Sequence, residues 1–174
     1  MTIREILIAP DPRLKAVAKE VAVVDDAIRT LADDMLETMY CAHGIGLASV
    51  QIGELVRMVV IDVDQKDVEG KEPVRNPRVF INPVLTPVGD DWAETEEGCL
   101  SVPDIWETVE RPAAVRCSYL DRDGKSQTLE ADGMLAICLQ HEVDHLNGTL
   151  FIDHLSRLKR NMAIKKLTKA QKLK

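Results

Sequence analysis

The sequence has no apolar run long enough to cross a membrane. The longest run, residues 134–139, covers six positions, whereas a transmembrane helix needs about 20. Acidic residues and two prolines interrupt the first 14 residues, which therefore lack the apolar core of a signal peptide. We expect no membrane association and a cytoplasmic location.

The chain is also poor in aromatic residues, at 3%, and its four cysteines form no CxxC pair. In a reducing compartment, Cys41, Cys99, Cys117 and Cys138 are each expected to be a packing residue or a reactive or metal-binding thiolate, not half of a disulfide. No internal repeat or low-complexity segment is present. A length of 174 residues, 45% hydrophobic and 29% charged, predicts one globular domain covering residues 1–174.

Local patterns predict an α+β fold. The first expected element is a helix over Asp25–Met39, ended by Gly44 and Gly46. Strands over Leu55–Val63 and Val79–Asn82, joined by a polar loop over Asp64–Pro77, and a hairpin that turns at Asp121–Gly124 are expected next. A helix then runs from an N-cap at Asp132 to near Gly148, and a last helix starts at Asp153 or Ser156. Strands followed by helices favour mixed or antiparallel sheets packed around a central helix, with a C-terminal helix after it.

The most informative segment of that central helix is the HExxH motif His141-Glu142-Val143-Asp144-His145. Histidines four residues apart lie on one helix face, about 6 Å apart at Cβ, which suits two ligands of one metal ion. Glu142 could then reach a metal-bound water and act as base and acid. The alternative is a solvated helix face without a site. Because only four histidines occur in the chain and two have ligand spacing, we favour a metal site.

A hydrolytic metal site needs a third protein ligand and an open position for water. Downstream of the motif, Asp153 and His154 match no common zinc-protease spacing. A cysteine is therefore a serious candidate, either Cys138, three residues before His141, or Cys99, in the glycine-containing turn EEGCLSVP. The residues alone do not choose between these two cysteines. The remaining two, in a predicted helix and a predicted strand, are expected to be packing residues.

Three segments, in order, resemble the signature motifs of peptide deformylases. They are Gly44–Gln51 (GIGLASVQ), Glu97–Ser101 (EGCLS) and His141–Gly148 (HEVDHLNG). The resemblance extends over nearly the whole chain. One departure is Ser49, where the family usually has alanine, and this serine is expected to add a polar group near the site with little effect on mechanism.

The resemblance implies that Cys99, His141 and His145 bind one divalent metal ion and that Cys138 belongs to the pocket. A thiolate with two imidazoles accepts Fe(II), Ni(II), Co(II) or Zn(II), and the resemblance implies Fe(II) as the natural metal. It further implies removal of the formyl group from the N-terminal methionine of nascent polypeptides, with a metal-bound water as nucleophile and release of formate.

The resemblance also assigns the other site residues. Glu142 would be the general base and acid, while the side chain of Gln51 and the backbone N–H of Leu100 would stabilise the developing negative charge. The substrate-binding residues would be Gly44, Ile45, Gly46, Gly98, Ile137 and Cys138, with the glycines letting the peptide approach like an added strand. Trp106 could cap the pocket or cover the core, and Glu97 could pair with Arg111 behind the metal ligands or at the surface.

Charge is unevenly distributed along the chain. Residues 157–174 contain eight Lys and Arg and no acid; without these eight, 14 basic residues face 29 acidic ones, a net charge of −15. A basic helix there is either simply solvated or contacts ribosomal RNA, and ribosome contact is favoured modestly. We expect a monomer. Two other functions are disfavoured: a peptidase using the same motif would need a third ligand downstream of it, and a non-catalytic ribosome-binding module with a structural metal would need four protein ligands.

Overall fold

A computed structural model describes residues 1–173 of the chain. In chain order the helices and strands are α1 (Asp26–Cys41), β1 (Gly46–Ala48), β2 (Met58–Ile61), β3 (Arg78–Pro87), β4 (Trp92–Cys99), β5 (Val102–Pro112), β6 (Ala114–Leu120), β7 (Ser126–Asp132), α2 (Gly133–Leu146) and α3 (Arg157–Lys172). Short 3-10 helices cover Pro12–Lys15, Ser49–Ile52 and Phe151–His154. No helix among residues 1–173 is both long enough and apolar enough to span a membrane.

The strands form two separate antiparallel sheets. Five of them follow the order β1-β2-β3-β6-β7, and β4 pairs with β5 as a two-stranded sheet. Helix α2 contacts strands of both sheets, so the predicted α+β fold with antiparallel sheets around a central helix and a C-terminal helix is confirmed.

Strand β2 shows why α1 and α2 take opposite faces of the larger sheet. Its four side chains alternate between faces. Val59 and Ile61 belong to the core shared with α2, whereas Met58 and Val60 belong to the core shared with α1. All four are fully buried, and each such side chain contributes about 1.5–3 kcal/mol relative to exposure.

Capping residues explain the helix boundaries. The side chain of Asp25 accepts a hydrogen bond of 3.0 Å from the backbone N–H of Ile28 and caps α1. Ser156 accepts from the backbone N–H of Lys159 at 3.3 Å, which identifies it as the start of α3. Asp132 occupies the N-cap position of α2 as predicted, although its side chain makes no capping hydrogen bond.

The end of α1 differs from the sequence prediction. The left-handed residue that terminates the helix is His43, with φ 56°, and neither Gly44 nor Gly46 has a positive φ. The N–H of His43 donates to Tyr40 O and the N–H of Gly44 donates to Met39 O, at 3.0 and 2.9 Å, which is a Schellman ending. The prediction that Gly44 and Gly46 end the helix by their conformational freedom was therefore wrong.

The strands were predicted less well than the helices. The β4–β5 hairpin was missed, and Cys99 is the last residue of β4, paired with Val102, rather than part of the turn itself. The strand predicted over Leu55–Val63 is shorter, because the sheet pairing covers only Met58–Ile61, and Val56 makes an isolated bridge with Lys19. The prediction that Cys41 is a packing residue was wrong, since it is exposed, whereas Cys117 is buried as expected.

Candidate metal centre and cleft

The end of β4 and one face of α2 bring three metal-ligating side chains together. One ligand atom from each of Cys99, His141 and His145 lies within 4.8 Å of the others. Cys99 Sγ is 3.3 Å from His145 Nε2, and the two imidazole rings are one helical turn apart, with centroids separated by 5.2 Å. The two downstream candidates are engaged elsewhere: Asp153 pairs with a lysine and His154 with Asp144.

These donors fit a divalent metal ion. Burial lowers the pKa of His145 well below its ordinary value, so its imidazole is neutral and offers a lone pair. His141 Nδ1 is hydrogen-bonded to Glu97 at 2.8 Å, which leaves Nε2 for a metal. One thiolate and two imidazoles leave a fourth position open, as a hydrolytic site requires.

Behind His141 lies a buried chain of charges. The Arg111 guanidinium donates to both carboxylate oxygens of Glu97, at 2.6 and 2.9 Å, and to Asp144 at 2.9 Å. Burial alone would raise the pKa of Glu97, but hydrogen bonds from Arg111 and His141 outweigh it and lower that pKa to about 2. The predicted Glu97–Arg111 pair is therefore present and buried, and it orients a candidate ligand.

Glu142 lies beside the three donors in an unusual environment for an acid. Its Oε2 is buried and has no hydrogen-bond partner among residues 1–173. Burial is the main reason that its pKa is raised to about 7; His141 opposes this shift and Glu97 adds to it. A Cβ at Gly46 would lie 2.6 Å from Glu142 Oε1, so a side chain at this position of β1 would displace the carboxylate.

Cys138, the other candidate ligand, lies one turn before His141 and points elsewhere. Its Sγ is 3.9 Å from the carbonyl oxygen of Ile45. Burial raises the pKa of this thiol well above its ordinary value, and the thiol is not part of the group of three converging donors. The structure therefore places Cys138 in the wall beneath β1.

The side chain of Gln51 is held in one orientation. Its Oε1 accepts from the N–H of Ala48 at 2.9 Å, so its Nε2 faces Cys99 Sγ at 3.6 Å and Ser101 Oγ at 3.1 Å. The hydroxyl of Ser49 is buried and donates to the carbonyl of Val56. The sequence patterns did not reveal one support: the N-terminal segment bonds to the backbone oxygens of Gln51 and Ser101, at 2.7 and 2.8 Å.

A cleft of about 510 Å³ opens beside these groups. The residues predicted for catalysis, metal binding or substrate binding that line it are Gly44, Ile45, Gly46, Gln51, Gly98, Cys99, Leu100, Ile137, Cys138, His141 and Glu142. His145 is fully buried below them. Sequence reasoning missed Met134, another lining residue, although it lies one turn before Ile137 on α2 and helical spacing could have identified it.

Trp106 lies at the edge of the cleft and not in the core. Its side chain is 64% exposed. A Cβ at Gly98 would lie 2.7 Å from the indole ring, so the ring packs flat over the backbone at that glycine. Trp106 is among the residues that line the cleft, which favours the interpretation that it caps the pocket over the one that it covers the core.

Comparisons with known proteins agree with one another. A family model described as Polypeptide deformylase matches residues 3–161. The peptide deformylase of Agrobacterium fabrum is 59% identical, covering 100% of this chain and 99% of that protein, and that of Rhizobium meliloti is 55% identical, covering 99% and 96%. The crystal structure of peptide deformylase from Ehrlichia chaffeensis in complex with actinonin has a TM-score of 0.90 at 43% identity, covering 98% of both chains.

Replacing Arg111 by leucine tests the buried charge chain. Because Arg111→Leu leaves Glu97 buried without its cation, we expect the free energy of unfolding to fall by about 3–5 kcal/mol, measured by urea denaturation of the metal-free protein. Arg116→Leu is the control, since Arg116 pairs with Glu130 at the surface, and such pairs contribute about 1 kcal/mol or less. Equal losses in the two variants would contradict the assigned role of Arg111.

Proposed function

This chain belongs to the polypeptide deformylase family, hydrolytic enzymes that remove N-formyl groups from nascent peptides, and on that premise we propose how its own residues perform the reaction. The substrate is the N-terminal formylmethionine of a nascent polypeptide, and the products are formate and a free amine. The observation that carries the proposal is the convergence of three donors, Cys99, His141 and His145, with the unpartnered carboxylate of Glu142 beside one cleft.

Cys99, His141 and His145 would hold the metal ion. Their sulfur and nitrogen donors suit Fe(II), which we propose as the native ion, and also Ni(II), Co(II) or Zn(II). When bound, the ion supplies the Lewis acidity that makes a water molecule nucleophilic at neutral pH. Glu97 supports this centre by keeping His141 in one tautomer and one ring orientation, through the 2.8 Å contact at Nδ1.

Glu142 is the general base and general acid of the proposed reaction. Its buried, unpartnered Oε2 is free to accept the proton of the attacking water and to deliver it to the leaving amine. The negative charge that develops on the formyl oxygen needs donors. Gln51 provides Nε2, already directed towards Cys99 by the bond between its Oε1 and Ala48, and Leu100 provides the backbone N–H directly after Cys99.

The peptide binds as an added strand. Strand β1 is the edge of the five-stranded sheet and β4 belongs to a separate sheet, so an extended chain can enter between Gly44–Gly46 and Gly98. Glycine at these positions allows close backbone approach. The methionine side chain then enters the apolar part of the cleft, whose wall includes Ile45, Leu100, Ile137 and Cys138.

Helix α3 would guide the enzyme to its substrate. Lys165, Lys169 and Lys172 are exposed, lie on one helix face at spacings of four and three residues, and make no ion pair within residues 1–173. A row of cations with no interleaved aromatic residue suits phosphates rather than bases. We therefore propose that this face contacts ribosomal RNA.

Formate release tests the proposed reaction. With Ni(II)- or Fe(II)-loaded protein kept anaerobic, we expect formate from formyl-Met-Ala-Ser. Glu142→Ala should lower kcat by at least about 100-fold, because it removes the proton-transfer group. The folded state of the variant is checked by its metal content. No formate from correctly loaded wild-type protein would refute the proposal.

The two cysteines near the motif allow a matched test of metal binding. Removing a residue that is only hydrogen-bonded to a metal ligand typically lowers metal affinity about 10–100-fold. Cys99→Ala removes a ligand itself and should lower the affinity at least as much. Cys138→Ala should retain one metal ion per chain, because its thiol lies in the pocket wall. Metal content after dialysis, and the cobalt–thiolate absorption band, are the measurements. Loss of metal from the Cys138 variant alone would contradict the ligand set.

Ribosome binding is tested by co-sedimentation. Replacing Lys165, Lys169 and Lys172 by glutamine should weaken binding and reduce its salt dependence, because these lysines would no longer neutralise phosphates. If the wild type contacts about three phosphates, its affinity should fall roughly tenfold or more between 50 and 200 mM salt. A control variant carries three glutamines at the exposed Lys66, Lys71 and Lys125. Indistinguishable binding by the two triple variants would exclude α3 as the contact.

A further inference from the structure

The loop between β2 and β3 contacts Gly44–Gly46, the proposed substrate-binding segment, through one side chain. Gln65 Nε2 donates to the carbonyl oxygen of Gly44 at 2.7 Å and to that of Asp62 at 3.2 Å. The sequence patterns had identified this region only as a polar connection. Gln65 does not line the cleft, so it touches the segment from behind.

Each of the three residues of this segment interacts with residues at or just after the end of β2, two through the backbone and one through a side chain. Gly46 pairs with Ile61 in the sheet, and the carbonyl of Ile45 accepts from the N–H of Asp62 at 2.8 Å. These two ties are made by the backbone. The carbonyl of Gly44 has Gln65 as its partner among residues 1–173, so this end of the segment depends on a side chain.

Asp62 fixes the loop that presents Gln65. It is 1% exposed, and its Oδ2 accepts from the hydroxyl of Tyr40 at 2.7 Å and from the N–H of Asn76 at 2.8 Å. The guanidinium of Arg75 lies over the Tyr40 ring, 4.6 Å from its centroid. Both ends of the loop are therefore anchored to the last turn of α1, which leaves Gln65 little freedom to move away.

We propose that Gln65 is a positioning residue that holds Gly44 so that the edge of β1 can receive the part of the peptide beyond the first methionine. This inference rests on the proposed function. Gly46 lies against Glu142 and so marks the position of the formyl group. Gly44 comes two residues before Gly46 and just before the start of β1, at the end of the segment away from Glu142, where we place a later residue of the peptide.

Substrates of two lengths test this proposal. In Gln65→Met, which keeps the side-chain size but removes the donor, we expect KM for formyl-Met-Ala-Ser to rise about five- to tenfold, the effect of one lost hydrogen bond. The kcat should stay within about twofold, because the interaction is remote from the reacting atoms. For formylmethionine amide, which ends before Gly44, both constants should stay within about twofold.

Two further variants sharpen the result. Lys66→Met makes the same replacement at the next residue, whose exposed side chain makes no hydrogen bond within residues 1–173, and should resemble the wild type with both substrates. In Gln65→Ser, KM should again rise for the longer substrate only, which would show that the rise does not come from the methionine introduced at position 65. Equal rises for the two substrates, or no rise for the longer one, would overturn the proposal. Absence of formate from the wild type would instead refute the proposed function.

Discussion

The arrangement of the site depends on one buried carboxylate. Glu97, at the end of β4, is held by Arg111 from β5 and by His141 from α2. Removing these charges from water costs several kcal/mol each, and only a complete set of partners offsets that cost. The hairpin and the helix are therefore stable in the one relative position that satisfies Glu97. The same position brings Cys99, two residues beyond Glu97, to His145.

The division of the strands into two sheets leaves room for the cleft in which we propose that the substrate binds. A continuous sheet would satisfy the backbone groups of β1 with a neighbouring strand, whereas here β1 is the edge of its sheet, and residues of β1 and of β4 line the same cleft. Gly46 and Gly98 mark where side chains would fill this space, because a Cβ would meet Glu142 at one and Trp106 at the other. Gly46 thus allows the close approach of Glu142 and does not end the helix, which His43 does.

Local interactions account for what sequence patterns predicted well. Asp25 and Ser156 cap their helices by bonding to N–H groups three residues ahead, so the helix starts predicted at Asp25 and at Asp153 or Ser156 lie close to the observed ones. The β4–β5 hairpin was missed because β4 is largely polar and its stability is not local. Apolar residues of β5 pack against the 3-10 helix at Phe151–His154 and against α3, some 50 residues later in the chain, and no short window contains that information.

The sequence by itself determined the fold class, the two histidines and the acid between them, because helical spacing places His141 and His145 on one face of any helix that contains them. Spacing left Cys99 and Cys138 as alternatives, and the family resemblance favoured Cys99 without a physical reason. The tertiary structure separates the two cysteines by distance: Cys99 Sγ lies 3.3 Å from His145 Nε2, which favours it as the ligand, and Cys138 Sγ contacts Ile45 instead. The contact between Gln65 and Gly44 likewise needed the fold, since converging groups far apart in sequence are placed by long-range packing.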